Sequence, residues 1–324
     1  MNRRLYEVDS NSSTTLYICP KAPFDFEKSA SMHGRFQKSL PDLYEEGSYK
    51  RVVHVYERPM LVIASSKGTT ERPRIKVEVH PRLSTPEARC LRNTLDNMFG
   101  SSFDFEGFRR VASPDRLMST VLRELVGLRP VAPPTIFEGL VIAITEQQIS
   151  LNAAIAIRSR LIEKYGDIVR AGGKKFYAFP TAKSLATAKQ DQMRTLGLSR
   201  NKALYISELS GKVERRELDL ESLRAMGDES VAAELTKIKG IGRWSAEYVL
   251  IRGMGRVNSL PADDLGIQRA VSEAYFGGKR IESKDVRRVL DKFAPYSGIA
   301  AFYLLYHLLW TNRANIQSRH KMRT

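Results

Sequence analysis

Asp263 and Asp264 follow Pro261-Ala262 and stand directly before Leu265-Gly266-Ile267-Gln268-Arg269, a helix-opening pattern. A helix N-terminus favours the charged form of a carboxylate, and a fixed negative charge stabilises positive charge that develops beside it. Either aspartate also suits the plainer role of capping the helix. Upstream, Trp244 and Tyr248 lie at i, i+4 and so share one helix face. Such a pair can wall a site for a flat or cationic ligand, although aromatics at this spacing more commonly pack into a core. Just before them comes Lys239-Gly240-Ile241-Gly242. Two glycines spaced by one residue let the backbone take positive φ and approach a ligand closely. The helix that restarts at Arg243 then aims unpaired N–H groups outward, toward an anion. The competing reading is a tight turn between two helices and nothing more.

These residues fall within one stretch, 235–269. A short amphipathic helix over 231–237 leads into the glycine turn, a second helix carries the aromatics, and a third opens at the acidic pair. Earlier, Phe137, Leu140, Val141 and Ile144 recur at i, i+3, i+4, i+7, which predicts an amphipathic helix. It ends at Glu146-Gln147-Gln148-Ile149-Ser150, where Ser150 suits the N-cap of a helix over Leu151–Tyr165 and Gly166 stops it. Further helices are expected over 86–99, 114–126, 181–188, 190–195, 200–213, 218–226, 264–275, 283–293 and 297–310, with 313–324 a frayed basic tail. Gly172-Gly173-Lys174-Lys175 reads as a basic surface loop, and Arg200 and Lys202 as members of a solvated face. The chain up to about residue 81 is β-rich instead. Residues 74–80 alternate, with Ile75, Val77 and Val79 on one face. The runs 51–56, 60–64 and 16–19 are further strands, 65–72 joins two of them, and 25–37 is a candidate helix.

The composition narrows the partners. Lys and Arg number 52 against 36 Asp and Glu, a formal net charge of +16 and a pI near 9.8. That balance predicts attraction to a polyanion, DNA or RNA alike. A chain of 324 residues can hold two or three domains. No charged-then-apolar leader opens it, and its longest apolar stretch, 302–310, contains His307 and is too short to span a bilayer. A soluble, intracellular protein is therefore expected. Cys19 and Cys90 form no disulfide framework or zinc pattern, and the five histidines show no ligand spacing.

The order of glycine hairpin, aromatic pair and Pro-x-Asp-Asp helix start resembles the helix-hairpin-helix (HhH-GPD) DNA glycosylase superfamily, and within it the 3-methyladenine DNA glycosylase II branch. The likeness runs from about residue 23 to 310 and is most specific over 235–269; Pro23-Phe24-Asp25-Phe26 matches a short segment of that branch. The resemblance implies an α+β protein. An N-terminal antiparallel β-sheet domain with a covering helix would occupy 1–85, followed by an all-helical core of two subdomains. One would be 135–256 with the hairpin, the other 86–134 plus 257–324 with the catalytic aspartate.

It further implies that Asp264 stabilises the oxocarbenium-like sugar of glycosidic cleavage, with Asp263 structural. Trp244, Tyr248 and Tyr296 would line the base pocket. Lys239, Gly240, Gly242 and Ser245 would hold a phosphate. Gln147, Gln148 and Ile149 would enter the minor groove, with Gln148 filling the gap left by the extruded base. Bifunctional relatives carry a lysine directly after the hairpin. Trp244 stands there instead, which implies a monofunctional enzyme that uses water. No cofactor is expected. Two cysteines cannot build the four-Cys iron–sulfur loop of some relatives, while the carbonyls of Ile238 and Ile241 are candidates for a structural monovalent cation. The expected partner is damaged double-stranded DNA, met as a monomer in the nucleoid or nucleus, with no membrane. The expected activity is excision of alkylated purines of the 3-methyladenine and 7-methylguanine type, by base flipping. The alternatives are a glycosylase for oxidised, deaminated or mismatched bases, and a non-catalytic helix-hairpin-helix DNA-binding protein.

Overall fold

The computed structural model describes residues 4–8, 12–36 and 40–321. The N-terminal part runs β1 (Leu5–Glu7), β2 (Thr14–Ile18), α1 (Phe26–Phe36), β3 (Leu43–Glu45), β4 (Ser48–Val55), β5 (Arg58–Ser66) and β6 (Ile75–His80). Five of its strands form an antiparallel sheet in the order β2-β6-β5-β4-β3. The alternation in β6 does what a period of two requires: Ile75, Val77 and Val79 are buried while Lys76, Glu78 and His80 are not. Their face packs with Tyr49, Val53, Met60 and Val62 and with Phe26 and Ala30 of α1. Gln37, at the end of the helix expected over 25–37, lies outside the described residues.

The same core takes in α2 (Thr85–Met98), through Leu91, Leu95 and Met98, together with Phe99. The boundary expected at residue 85 therefore cuts off a helix whose apolar stripe is buried against the sheet. β1 departs in the other direction. It pairs in parallel with β7 (Ile168–Ala171), which forms a hairpin with β8 (Lys174–Tyr177). Of the loop expected over 172–175, only Gly172-Gly173 is a turn; Lys174 and Lys175 open β8 and pair with Ala171 and Arg170. Gly172 and Gly173 take φ of +55° and +75°, the conformation that a two-residue hairpin turn demands.

The remaining elements are helical. They are α3 (Phe105–Ala112), α4 (Arg116–Glu124), α5 (Ile136–Glu146), α6 (Leu151–Tyr165), α7 (Ala182–Ala186), α8 (Gln190–Arg194), α9 (Arg200–Glu214), α10 (Asp228–Thr236), α11 (Arg243–Met254), α12 (Leu265–Tyr275), α13 (Ser283–Leu290) and α14 (Ser297–Lys321). Four of the helical elements differ from what the sequence predicts. Asp104 caps α3 through the Gly107 N–H, a start signal that was not read. Residues 218–226 form only a 3-10 turn over Glu221–Ala225, because Asp219 binds both the N–H and the hydroxyl of Ser222. The helix expected over 283–293 ends at Leu290 and tightens into a 3-10 turn. The tail expected to fray from residue 313 continues α14 as far as Lys321, and residues 322–324 lie outside the described set.

Two helical cores result. The first gathers α5, α6, α9, α10 and the hairpin around Leu140, Ile144, Leu161, Ile206, Leu235 and Val249. The second gathers α3, α4, α12, α13 and α14 around Phe108, Val121, Ile267, Val271, Leu290 and Tyr303. α11 is the element between them: Val249 and Leu250 face the first core and Ile251 the second. Glu247 on α11 receives Arg287 of α13 at 2.8 and 3.0 Å and so fastens the second set of helices to the first. The sheet is tied on by Arg51 of β4, 3% exposed, which bonds Asp42 at 2.6 Å and also bonds Glu138 of α5.

Candidate active site

Asp264 is the N-cap of α12, and its Oδ1 accepts the Ile267 N–H at 3.0 Å. The loop before it is braced: the Asp264 N–H reaches the Pro261 carbonyl at 3.0 Å, and Gln268 Nε2 reaches that of Ala262 at 3.1 Å. Ile267, Ala270 and Val271 bury the other side of the helix. The second carboxylate oxygen, Oδ2, accepts the Trp244 indole N–H at 3.2 Å. Capping and a role toward a ligand therefore do not compete, because each uses one oxygen. Asp264 is half-buried and Asp263 exposed. Leu265, the next residue, is 80% exposed, a large apolar side chain next to Asp264 in the chain.

Trp244 and Tyr248 meet as the spacing predicts, with ring centroids 5.5 Å apart and planes tilted by 36°. Burial, and then the nearby Glu146 carboxylate, raises the pKa of the Tyr248 hydroxyl, so it stays protonated. Tyr296 belongs to the second helical core. Its ring packs on Phe108 at 5.7 Å and its hydroxyl approaches Asp104 at 3.5 Å, which engages it with α3. Burial and the Asp104 charge raise its pKa as well.

The hairpin divides the labour between its glycines. Gly240 has φ of +86°, and a Cβ there would overlap the ring of Tyr205 on α9. Gly242 has φ of −90° and open space around it. It is the N-cap of α11 without a side-chain cap, so the first N–H groups of that helix have no helical partner. Positive φ is thus a need of Gly240 alone, whereas Gly242 supplies bare access to the helix start. Lys239 is exposed and pairs with Glu208 at 2.9 Å, a surface contact that contributes little to stability. Ser245, expected to help hold a phosphate, is 1% exposed and points inward; its hydroxyl receives Gln147 Nε2 at 3.0 Å. Ile238 and Ile241 are both buried, and the Ile241 N–H binds the Ile238 carbonyl at 3.0 Å.

The turn after α5 faces this hairpin. Gln147 Nε2 also donates to the Gly240 carbonyl at 2.8 Å. Gln148 is exposed at φ +54°, unusual for a residue with a side chain, and Ile149 and Leu151 are 38% and 52% exposed. Lys202 is the clearest correction. It was read as solvated, yet it is 9% exposed and donates to the carbonyls of Thr145 and Gln147 at 3.0 and 2.6 Å. The signal was present in the sequence, since Lys202, Ile206 and Leu209 fall at i, i+4, i+7 on one face. Arg200 is exposed, as expected. Gln147, Gln148, Asn201, Lys202, Gly240 and Gly242 all line one polar cavity of about 420 Å³. Among the described residues no group of three or more His, Cys, Asp or Glu could hold a metal ion, and no helix is long and apolar enough to cross a membrane.

The profile of the HhH-GPD superfamily of base excision DNA repair proteins matches residues 141–295. A DNA-3-methyladenine glycosylase of Bacillus subtilis is 27% identical over 201 residues, 62% of this chain and 66% of that protein. The alignment thus spans just under two thirds of that relative. A DNA-3-methyladenine glycosylase 1 of Schizosaccharomyces pombe is 30% identical over 52% of this chain and 70% of its own length. Among solved structures, the 3-methyladenine DNA glycosylase from Archaeoglobus fulgidus superposes with a TM-score of 0.78 at 32% identity, covering 90% of this chain and 98% of that one. With hairpin, aromatic pair and capping aspartate in place, and a solved relative matched over nearly its whole length, the chain belongs to the HhH-GPD superfamily of base excision DNA repair proteins, in the company of its 3-methyladenine DNA glycosylases.

Proposed function

We propose that the protein is a monofunctional DNA glycosylase that excises alkylated purines from duplex DNA and so starts base excision repair. One observation carries the reading: Asp264 keeps an oxygen beside the Trp244–Tyr248 wall while the other caps α12. Alkylation at a ring nitrogen makes a purine cationic, which draws it to aromatic faces and makes it a good leaving group. The C1′–N bond breaks, its electron pair leaves with the base, and the sugar becomes oxocarbenium-like. The Asp264 carboxylate stabilises that charge, the Trp244 N–H holds it in orientation, and water adds at C1′ and loses a proton to solvent. Trp244 occupies the position of the lyase lysine, so no Schiff base forms.

The unpartnered N–H groups at the Gly242 end of α11 grip a phosphate beside the lesion, with Lys239 adding charge at the rim. Gln148, flanked by Ile149, fills the gap in the stack. Trp244 and Tyr248 make the base pocket, and Tyr296 borders it from the second subdomain. A monovalent cation on the carbonyls of Ile238 and Ile241 fits the turn, because the Ile238 oxygen retains a lone pair after accepting the Ile241 N–H. The net charge of +16 suits duplex DNA as the partner, in whichever compartment holds it.

A panel of duplexes with one lesion each tests the reading. Release of 3-methyladenine and 7-methylguanine, with no complex trapped by borohydride, supports it. Preferential release of 8-oxoguanine or of a mismatched pyrimidine points to the oxidised-base reading, and binding without release of any base points to the non-catalytic one.

A further inference from the structure

The two arms of the site, the turn after α5 and the glycine hairpin, come from distant parts of the chain; the Gln147 side chain joins them, and one buried amine on α9 holds the Gln147 backbone. α5 ends at Glu146, which leaves its last carbonyls without helical donors. Lys202 Nζ fills two such places, donating to the Thr145 carbonyl at 3.0 Å and the Gln147 carbonyl at 2.6 Å. These bonds are charge-assisted and lie at a helix C-terminus, where the dipole favours a cation. From Gln147 the connection continues, since its Nε2 donates to the Gly240 carbonyl at 2.8 Å and the Ser245 hydroxyl at 3.0 Å. The next residue, Gln148, sits at φ +54°, a conformation that persists only where its surroundings hold it.

We propose that Lys202 is a positioning residue for base eversion: its ammonium pins the Gln147–Gln148 turn to α9, Gln147 carries that anchor on to the strand-gripping hairpin, and the two together set the height at which Gln148 enters the base stack. The inference rests on the glycosylase reading above. A lysine that merely capped α5 would affect stability and leave eversion untouched. A lysine that acts through the turn has a different signature, because its loss matters only while Gln148 is there to be placed.

The test uses the full chain and a lesion duplex with 2-aminopurine beside the lesion, whose fluorescence rises on eversion. K202M keeps the stem and leaves the two carbonyls without a donor. It should release base about tenfold more slowly, with the fluorescence rise lost and affinity for an abasic duplex within about threefold of wild type. K202R, which can reach both carbonyls, should recover most of the rate, and K202M/Q148A should be no slower than Q148A alone. Wild-type release by K202M, or losses that simply add in the double variant, overturns the proposal. Should K202M fail to fold, Q147A breaks the same connection with Lys202 intact; it should show the same pattern, and unchanged release again overturns it. A wild-type protein that frees no base defeats the glycosylase reading itself, whereas an active wild type with an inactive D264N and an unimpaired K202M defeats this inference alone.

Discussion

At the scale of single residues, Trp244 does two jobs that one substitution can separate. Its ring stacks beside Tyr248 and its indole N–H holds Asp264 Oδ2 at 3.2 Å. Trp244→Phe keeps an aromatic face and removes only the donor. A hydrogen bond to a charged group contributes about 1.5–3 kcal/mol, much of which a surrounding solvent can replace at a half-exposed carboxylate. The expected result is a single-turnover rate about tenfold lower with binding of abasic DNA retained. An equal rate would mean that the N–H does not orient the carboxylate. The acidic helix start and the Trp244–Tyr248 pair were legible in the sequence because capping and i, i+4 pairing are local rules, while the choice of Asp264 over Asp263 rested on the family resemblance. The inward turn of Ser245 and the contacts of Tyr296 with α3 were not legible, because the direction a side chain takes is fixed by partners far along the chain: Gln147 for the one, Asp104 and Phe108 for the other.

At the scale of elements, the hairpin shows why two glycines of one motif should respond differently to the same change. Gly240→Ala forces a side chain into positive φ and against the Tyr205 ring. A residue other than glycine pays roughly 1–2 kcal/mol for that backbone conformation alone, so the variant should melt several degrees lower and bind DNA poorly. Gly242→Ala meets nothing within 4 Å and keeps φ at an ordinary value. Its melting temperature should stay near wild type while affinity for abasic DNA falls, since the methyl group stands where a strand would approach. Equal melting losses in both variants would show that the turn is only a structural connection. The turn after α5 could be delimited from sequence by Ser150 and the end of an apolar period, but its attachment could not. Lys202 and Gly240 are distant from it in the chain, and only the place of Lys202 on one helix face with Ile206 and Leu209 hinted at a partner.

At the scale of the whole molecule, the sheet and the helical part are held by a buried charge. Arg51 bonds Asp42, which also accepts the Tyr49 hydroxyl, and reaches across to Glu138 on α5. Burial raises the pKa of Glu138 while the Arg51 charge opposes that shift. Removing one member strands the others without compensation, which typically costs about 3–5 kcal/mol. Arg51→Met should therefore lower the melting temperature sharply, and by more than any change at the exposed Lys239–Glu208 pair. A melting curve matching wild type would show that the contact is dispensable for joining the two parts. The sequence announced the sheet through alternation in 75–79 and the helices through their period. It did not announce that α2 packs on the sheet or that β1 crosses to β7, because both depend on long-range burial and pairing that no local pattern encodes. Nor did it show that α11 stands between two cores.

The central claim is that a fixed negative charge at Asp264 drives base release. Asn at this position can still accept the Ile267 N–H, so D264N keeps the cap and the shape and loses only the charge. At ~4 Å and an effective dielectric near 20 the attraction is about 4 kcal/mol, or roughly a thousandfold in rate. Single-turnover release of 7-methylguanine from a duplex, by wild type and D264N side by side, should show a loss of about that size with abasic DNA still bound. Equal release by the two proteins would contradict the account.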